Sequence, residues 1–198
     1  MAYGVNAPFG LQPRRYLNGA PWNNATNTYN IATGYATTIY TGDPVYLASG
    51  TGLIQAAAGD ANPCIGVFQG CKYYDTNGNF IFSPYWPAST SVLTNTLVEA
   101  EVADDPNIIF DIQSSNTTGV TQAQLGLNAV FAIGTGSTIS GQSGAVLNLA
   151  TAPATTATFQ LKIMRLTPNP SNGFKGYNNV EVVINNHYYK GGTGTVGV

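Results

Sequence analysis

Apolar and polar residues alternate with a period near two along most of the chain, in runs too short and too regular for helices. "PVYLAS" from Pro44 alternates in this way, while "CIGVFQGCKYY" from Cys64, "FIFSPYW" from Phe80 and "IIFDIQ" from Ile108 read as short β-like runs. "GLIQAA" from Gly52 is shorter but β-like. "SVLTNTLVEAEVA" reads as a long strand with Val98, Ala100 and Val102 on one face and Glu99 and Glu101 on the other. Gly, Pro and Asn separate the runs. Gly42-Asp43-Pro44 marks a turn, and Asn77-Gly78 is a strong hairpin signal because both residues tolerate the positive φ of a type I′ turn.

Further along, "NAVFAIGTGSTISGQSGAVLNL" predicts two strands joined by Gly/Ser turns. "ATTATFQLKIMRLTP" is the longest strand candidate, with Phe159, Leu161, Ile163 and Leu166 as its apolar members and Lys162 outward. "VEVVINNHYY" follows, then a glycine-rich tail. "TQAQLGL" allows a single helical turn that Gly126 cuts short. No amphipathic helix of ten or more residues is expected. Strands spaced by turn residues in this way predict an all-β fold, an antiparallel barrel or jelly-roll-like sandwich.

Residues 1–30 depart from this pattern. Pro8, Pro13 and Pro21, with Gly10 and Gly19, break helices and most strands, so an extended N-terminal arm is expected before a β-rich body at residues 31–198. Within the arm, "PFGLQPRRYLNGAPW" is too apolar for a free tail. Fixing a segment of this length costs roughly 15–30 kcal/mol of backbone entropy, at about 1–2 kcal/mol per residue. Offsetting about 20 kcal/mol takes on the order of 800 Å² of apolar burial. Phe9, Leu11, Tyr16, Leu17 and Trp22 can supply much of that, so the segment needs a surface to lie on. The surface is either the chain's own body or a neighbour. In the second case Arg14 and Arg15 are the natural anchors, since a guanidinium binds carboxylates bidentately while its stem packs on apolar groups. Trp86, between prolines in "SPYWPAS", anchors its loop either to the core or to another chain.

Composition sharpens the picture. Of 198 residues only 8% are charged, against 43% hydrophobic, and the formal net charge is −2. So little charge does not keep copies apart, which favours self-association or a permanent partner. Seven Lys and Arg make no nucleic-acid footprint. No apolar run reaches the length of a membrane helix, and "MAYGVNAPFG" lacks the pattern of a secretory signal, so synthesis in the cytoplasm of a cell is expected.

Candidate chemistry is sparse. Cys64 and Cys71 are expected as buried thiols, and with the single His187 they fall short of a zinc set. His187 is expected to face solvent or an interface rather than to act as a base. Glu99, Glu101, Asp104, Asp105 and Asp111 cluster in sequence but match no calcium loop; Asp105-Pro106 is expected to make a turn, with Asp104 bonded to backbone nitrogen. Asn24 and Asn116 begin glycosylation-type triplets that composition explains. No nucleophile elbow, phosphate loop or zinc-protease motif is present, and neither a cofactor nor an enzymatic activity is expected.

"PFGLQPRRYLNGAPW", "YTGDPVYLA", "VADDPNIIFDIQ", the Gly/Ser stretch from Leu125 to Leu147 and the terminal "INNHYYKGGTGTVGV" resemble a group of small proteins encoded beside the major capsid protein by tailed bacteriophages, including phages of aquatic bacteria and cyanobacteria. The resemblance implies a capsid decoration or cement protein on the outer surface of the virion head. A β-rich body would project, an arm would grip the major capsid protein, and the protein would form a homotrimer. On this reading Phe9, Leu11, Arg14, Arg15, Tyr16, Leu17, Trp22 and Trp86 are the candidate contacts to shell or sister subunit. The alternatives are another minor virion component, such as a fibre base or tail protein, and a carbohydrate-binding module using Trp22 or Trp86.

Overall fold

The computed structural model describes residues 4–49, 52–55, 62–191, 194 and 197. Their strands are β1 (Gln12–Tyr16), β2 (Asn27–Ile31), β3 (Ile39–Tyr40), β4 (Pro44–Ala48), β5 (Gly52–Gln55), β6 (Gly66–Tyr74) and β7 (Phe80–Ser83). They continue with β8 (Tyr85–Trp86), β9 (Val98–Ala103), β10 (Ile108–Gln113), β11 (Asn128–Ala132), β12 (Val146–Asn148), β13 (Leu161–Leu166) and β14 (Asn179–Ile184). The fold is all-β. Two single turns of 3-10 helix, Gln122–Gln124 and Tyr188–Lys190, complete it.

The strands form two modules, one nested in the other, and a separate two-stranded pair, β3-β8, that packs with the first. β4-β5-β2-β9-β6 is a closed antiparallel barrel, shut by the pairs Pro44↔Val67 and Val45↔Gly66, and β7 continues it beyond β6. The second sheet runs β1-β10-β14-β13-β11-β12. Its first strand precedes the barrel in sequence and the rest follow it, so the barrel is an insertion between β1 and β10. A bridge between Ser114 and Leu147 brings the far strand β12 round towards the end of β10.

Each module has its own apolar core. Ile39, Leu53, Phe68, Trp86 and Val102 fill the barrel, while Phe110, Phe131, Leu147, Ile163 and Val182 fill the sheet module. Leu11, Cys64, Val67 and Ala103 belong to the second core although they come from the first strand's approach and the barrel's rim, so the cores meet at a seam. β9 shows the expected alternation, with Val98, Ala100 and Val102 buried and Glu99 and Glu101 half-buried on the opposite face. Cys64 and Cys71 are buried thiols, as expected, not joined in a disulfide, and burial pushes the Cys71 thiol up to about 12.

Several expectations are corrected. The first thirty residues do not make an arm separate from the body: β1 is a strand of the sheet module and β2 a strand of the barrel. β9 begins at Val98 rather than Ser91, because the chain turns at Leu93–Thr96 with Asn95 at positive φ. β13 starts only at Leu161 and carries a bulge after Ile163; the longest strand is β6. The β6–β7 hairpin forms at Asn77-Gly78, but only Gly78 takes positive φ, and Asp75 closes the loop by accepting from the Asn77 and Asn79 nitrogens. That is a wider turn than type I′. Ala56 and Ala57, read as the end of the "GLIQAA" strand, lie outside the described residues, as does the glycine-rich tail beyond Gly191 apart from Gly194 and Gly197.

Candidate functional site

Two adjacent strand residues normally point to opposite faces of a sheet, so a functional Arg14-Arg15 pair needs an irregularity. β1 supplies it. Its register against β10 runs Gln12↔Asp111 and Pro13↔Phe110, then skips to Arg15↔Ile109, leaving Arg14 as the extra residue of a bulge. Both guanidinium groups thereby reach Glu181, and Arg14 reaches Asp111 as well. Arg15 Nη2 donates to Glu181 Oε2 at 2.6 Å, and Arg14 Nη1 donates to Asp111 Oδ2 at 2.6 Å while its Nε lies 3.6 Å from Glu181. From the other side, the bulge in β13 sets Arg165 opposite Glu181, and its Nε donates at 2.8 Å.

Asp111 and Glu181 are direct neighbours across β10 and β14, a pairing that like charges make unfavourable without counter-ions. The arginines provide them. Burial alone would raise Glu181, whose side chain has no exposed surface, but hydrogen bonds from Arg165 and Arg15 outweigh it and hold the carboxyl below its usual range. For Asp111 burial wins: it is raised despite the bonds from Arg14 and Thr167. The arginine pair is therefore a clasp that fastens the N-terminal segment to its own sheet. As anchors for a neighbouring protein, Arg14 and Arg15 are already engaged.

The remaining sequence candidates divide. Leu11 is fully buried in the sheet core, and Trp86 is fully buried in the barrel, where its Nε1 donates to the Tyr35 carbonyl and its ring meets Tyr73 edge-on. Neither is placed to touch another molecule. Tyr16 and Trp22 are half-buried against the sheet core. Leu17 is exposed, and half-buried Phe9 lines an open groove of about 650 Å³ with Gln12, Arg14, Asp111, Gln142 and Asn169. The surface on which "PFGLQPRRYLNGAPW" lies is thus the chain's own body.

The seam between modules holds the other polar cluster. Asp43, buried in the GDP turn, accepts from Ser143 Oγ at 2.5 Å, Gln55 Nε2 at 2.6 Å and the Tyr40 nitrogen at 2.9 Å. Desolvation still raises its pKa. Leu11 N donates to the Gly42 carbonyl beside it. On the far side of the seam the Cys64 nitrogen donates to Asn186 and the Cys64 carbonyl accepts from Tyr188. Between those two residues sits His187, fully buried, contrary to the solvent-facing or interface position expected. Its Nδ1 accepts from the Tyr189 nitrogen, so the ring caps the last 3-10 turn as a neutral imidazole. Burial pushes its pKa down to about 4.

Asp104 also departs from expectation. Its carboxylate accepts from side chains, Asn27 Nδ2 at 2.9 Å and Tyr29 Oη at 2.5 Å, instead of from backbone. Tyr29 in turn meets Tyr189, and burial together with Asp104 raises the Tyr29 phenol. Asp105 makes its turn as expected, accepting from the Asn107 nitrogen at 2.7 Å. Among the described residues no three of His, Cys, Asp and Glu are grouped to hold a metal ion. No helix among them is long and apolar enough to cross a membrane.

Glu181, Arg165 and Ser143 are absent from the sequence candidates. Glu181 had a readable signal: a lone carboxylate inside the apolar strand "NVEVVI" must be paired if that strand is central. Ser143 had none, because its partner Asp43 lies 100 residues away. Comparison with protein-family models, with curated proteins and with solved structures gives no match.

Proposed function

We propose that this chain is a structural virion protein, a decoration or cement protein that binds the major capsid protein on the outer surface of a tailed-phage head and stabilises joints between shell subunits. The observation that carries this reading is where the phage-like phrases fall. "PFGLQPRRYLNGAPW" forms the clasp, "YTGDPVYLA" and the Gly/Ser stretch ending at Leu147 meet at Asp43–Ser143, "VADDPNIIFDIQ" contributes Asp104 and Asp111, and "INNHYY" packs beside Cys64. These phrases fall on the polar contacts that hold the N-terminal segment to its sheet and the barrel to the later strands, which supports reading them as parts of a rigid body. A role that needs a stiff body and no reacting group suits it.

Cementing works by mass action: each copy bound to the assembled shell and not to its parts adds binding free energy to the joint. The clasped N-terminus cannot be the grip while Arg14 and Arg15 are held by Asp111 and Glu181, so the shell contact belongs to other surfaces, the groove beside Phe9 among them. The sugar-stacking alternative loses its platform at Trp86, which is enclosed. Quantitative mass spectrometry of gradient-purified particles tests the proposal. A copy number equal to that of the major capsid protein, or a simple fraction such as one third, supports it. A dozen copies or fewer would assign the chain to a vertex or tail instead, and absence from particles would refute it.

A further inference from the structure

Edges of β-sheets expose unpaired backbone groups and are usually covered, charged or broken by proline. This chain covers most of its own. The outer edge of β1 is met by residues 20–22 through Tyr16 N to Ala20 O and Trp22 N to Arg14 O, β12 is bridged to Ser114, and the barrel closes on itself. β7 is different. It pairs only with β6, and among the described residues its other edge has no strand partner. Its outward face carries Phe80 and Phe82, 57% and 69% exposed, where a protected edge would carry lysine. Tyr74 lies beside Phe80 with ring centroids 5.3 Å apart, and Leu97, 63% exposed, lines the same shallow pocket.

We infer that β7 is a self-association edge: two copies of this chain pair β7 antiparallel about a two-fold axis and extend the barrel sheets into one. Three observations select a second copy. An antiparallel strand is complementary to itself under a two-fold rotation, and such isologous pairs are the commonest closed assembly. Residues opposite each other in the pair must point to the same face, so the register that uses the strand best places Ile81 on the axis and Phe80 against Phe82 of the second copy. Local charge opposes the contact only weakly, since Lys72 behind Phe82 is paired within the chain with Glu99 and Glu101 at 3.1 and 3.0 Å and the cluster keeps a single net negative charge.

The area lies at the lower limit for a specific pair. With aromatic side chains at about 150–250 Å² each, the exposed parts of Phe80, Phe82 and Tyr74 come to roughly 250–420 Å² per copy, to which Leu97 adds, at the scale where a patch marks an interaction site. Doubled, with backbone and rim added, it approaches the roughly 1,200 Å² at which stable interfaces begin. This inference does not depend on the capsid reading.

The test is sedimentation velocity on the full chain between about 1 and 200 μM. The expected result is a concentration-dependent rise from 20.7 kDa to twice that mass. The double variant Phe80→Thr/Phe82→Thr keeps strand propensity and should weaken the pair at least about 100-fold, with an unchanged circular dichroism spectrum. A wild type that stays monomeric, or any oligomer, including the trimer, that the variant forms equally well, overturns the inference. Should the double variant misfold, oxidative cross-linking decides. Phe80→Cys mixed with Phe82→Cys should form a disulfide much faster than either alone, and equal rates would overturn the proposed register and the edge contact with it.

Discussion

Protonation of His187 should loosen the seam. The imidazole is fully buried, is the single histidine of the chain, and spends its Nδ1 lone pair on the Tyr189 nitrogen. Its folded pKa is depressed from 6.5 to about 4, so as pH falls the unfolded chain takes up this proton first. The contribution is therefore fully present above about pH 6.5 and is lost progressively towards pH 4. At 1.36 kcal/mol per unit, the full loss is about 3 kcal/mol. In a chain of this size that corresponds to roughly 5–12 °C of melting temperature. Asp43 and Asp111 act in the opposite sense: with folded pKa values raised, they bind protons in the folded state first and gain stability on acidification. Glu181, held low, keeps its contribution above its unfolded pKa and loses it only below that point.

A variant separates these effects. His187→Asn retains a side chain able to cap the 3-10 turn but cannot titrate, and it leaves every carboxylate in place. Scanning calorimetry from pH 7.5 to 4.5 should show the wild type losing most of those degrees and the variant holding level or rising slightly under Asp43 and Asp111. The absolute stability of the variant is irrelevant to the comparison; only its slope counts. Parallel slopes for the two proteins would refute the assignment of a buried neutral imidazole.

Three further outcomes follow from the clasp and the seam. Glu181→Gln removes the carboxylate on which Arg15 and Arg165 converge; removal of one partner from a buried pair costs about 3–5 kcal/mol, and because the arginines are partly exposed about 2–3 kcal/mol is expected, read as a shifted urea midpoint. Gly10→Ala forces a Cβ to within 2.6 Å of Ser143 Cβ and 2.7 Å of the Gly42 carbonyl at a φ of +72°, so it should cost about 2–4 kcal/mol, whereas Gly19→Ala, with open space around it, should cost only the backbone strain. Deleting residues 1–22 takes β1 and the buried Leu11 from the sheet module, so the truncated chain should be aggregated or lose its upper thermal transition; a soluble product with an unchanged melt would contradict the clasp.

The sequence disclosed strands well and partners poorly. Alternation in "VEAEVA" is a local property, and the faces it implied are the faces observed, whereas "IIFDIQ" was legible only as a strand. The short 3-10 turn before Gly126 was equally local. The arginine pair was legible as something needing carboxylates, but which carboxylates depended on a bulge and on a strand 166 residues away. No periodicity reports that. His187 was misjudged for the same reason: polar neighbours in "NNHYYKGG" suggested water, while the parallel bridge from Cys64 to His187 encloses it. Likewise the prolines of the first segment suggested an irregular arm, but Pro13 sits in β1, an edge strand, where its missing N–H is harmless.

The nesting of the modules gives these long-range contacts a mechanical meaning. The barrel is a contiguous stretch, 27–103, with its own core, so most of its pairings close short loops. The sheet module must instead bring β1 back to β10 and β14 across the whole inserted barrel, and such closures yield contacts only after the loop entropy has been met. The barrel should therefore form first and the clasp last. Once formed, the clasp fixes the beginning of the chain to β10, β13 and β14 within the sheet module, and the buried Asp43–Ser143 bond ties the barrel to the later strands at the seam, so bending between the modules requires breaking that buried contact. A body stiffened in that way transmits force from whatever holds one module to whatever holds the other, the mechanical property that the proposed capsid role would call for.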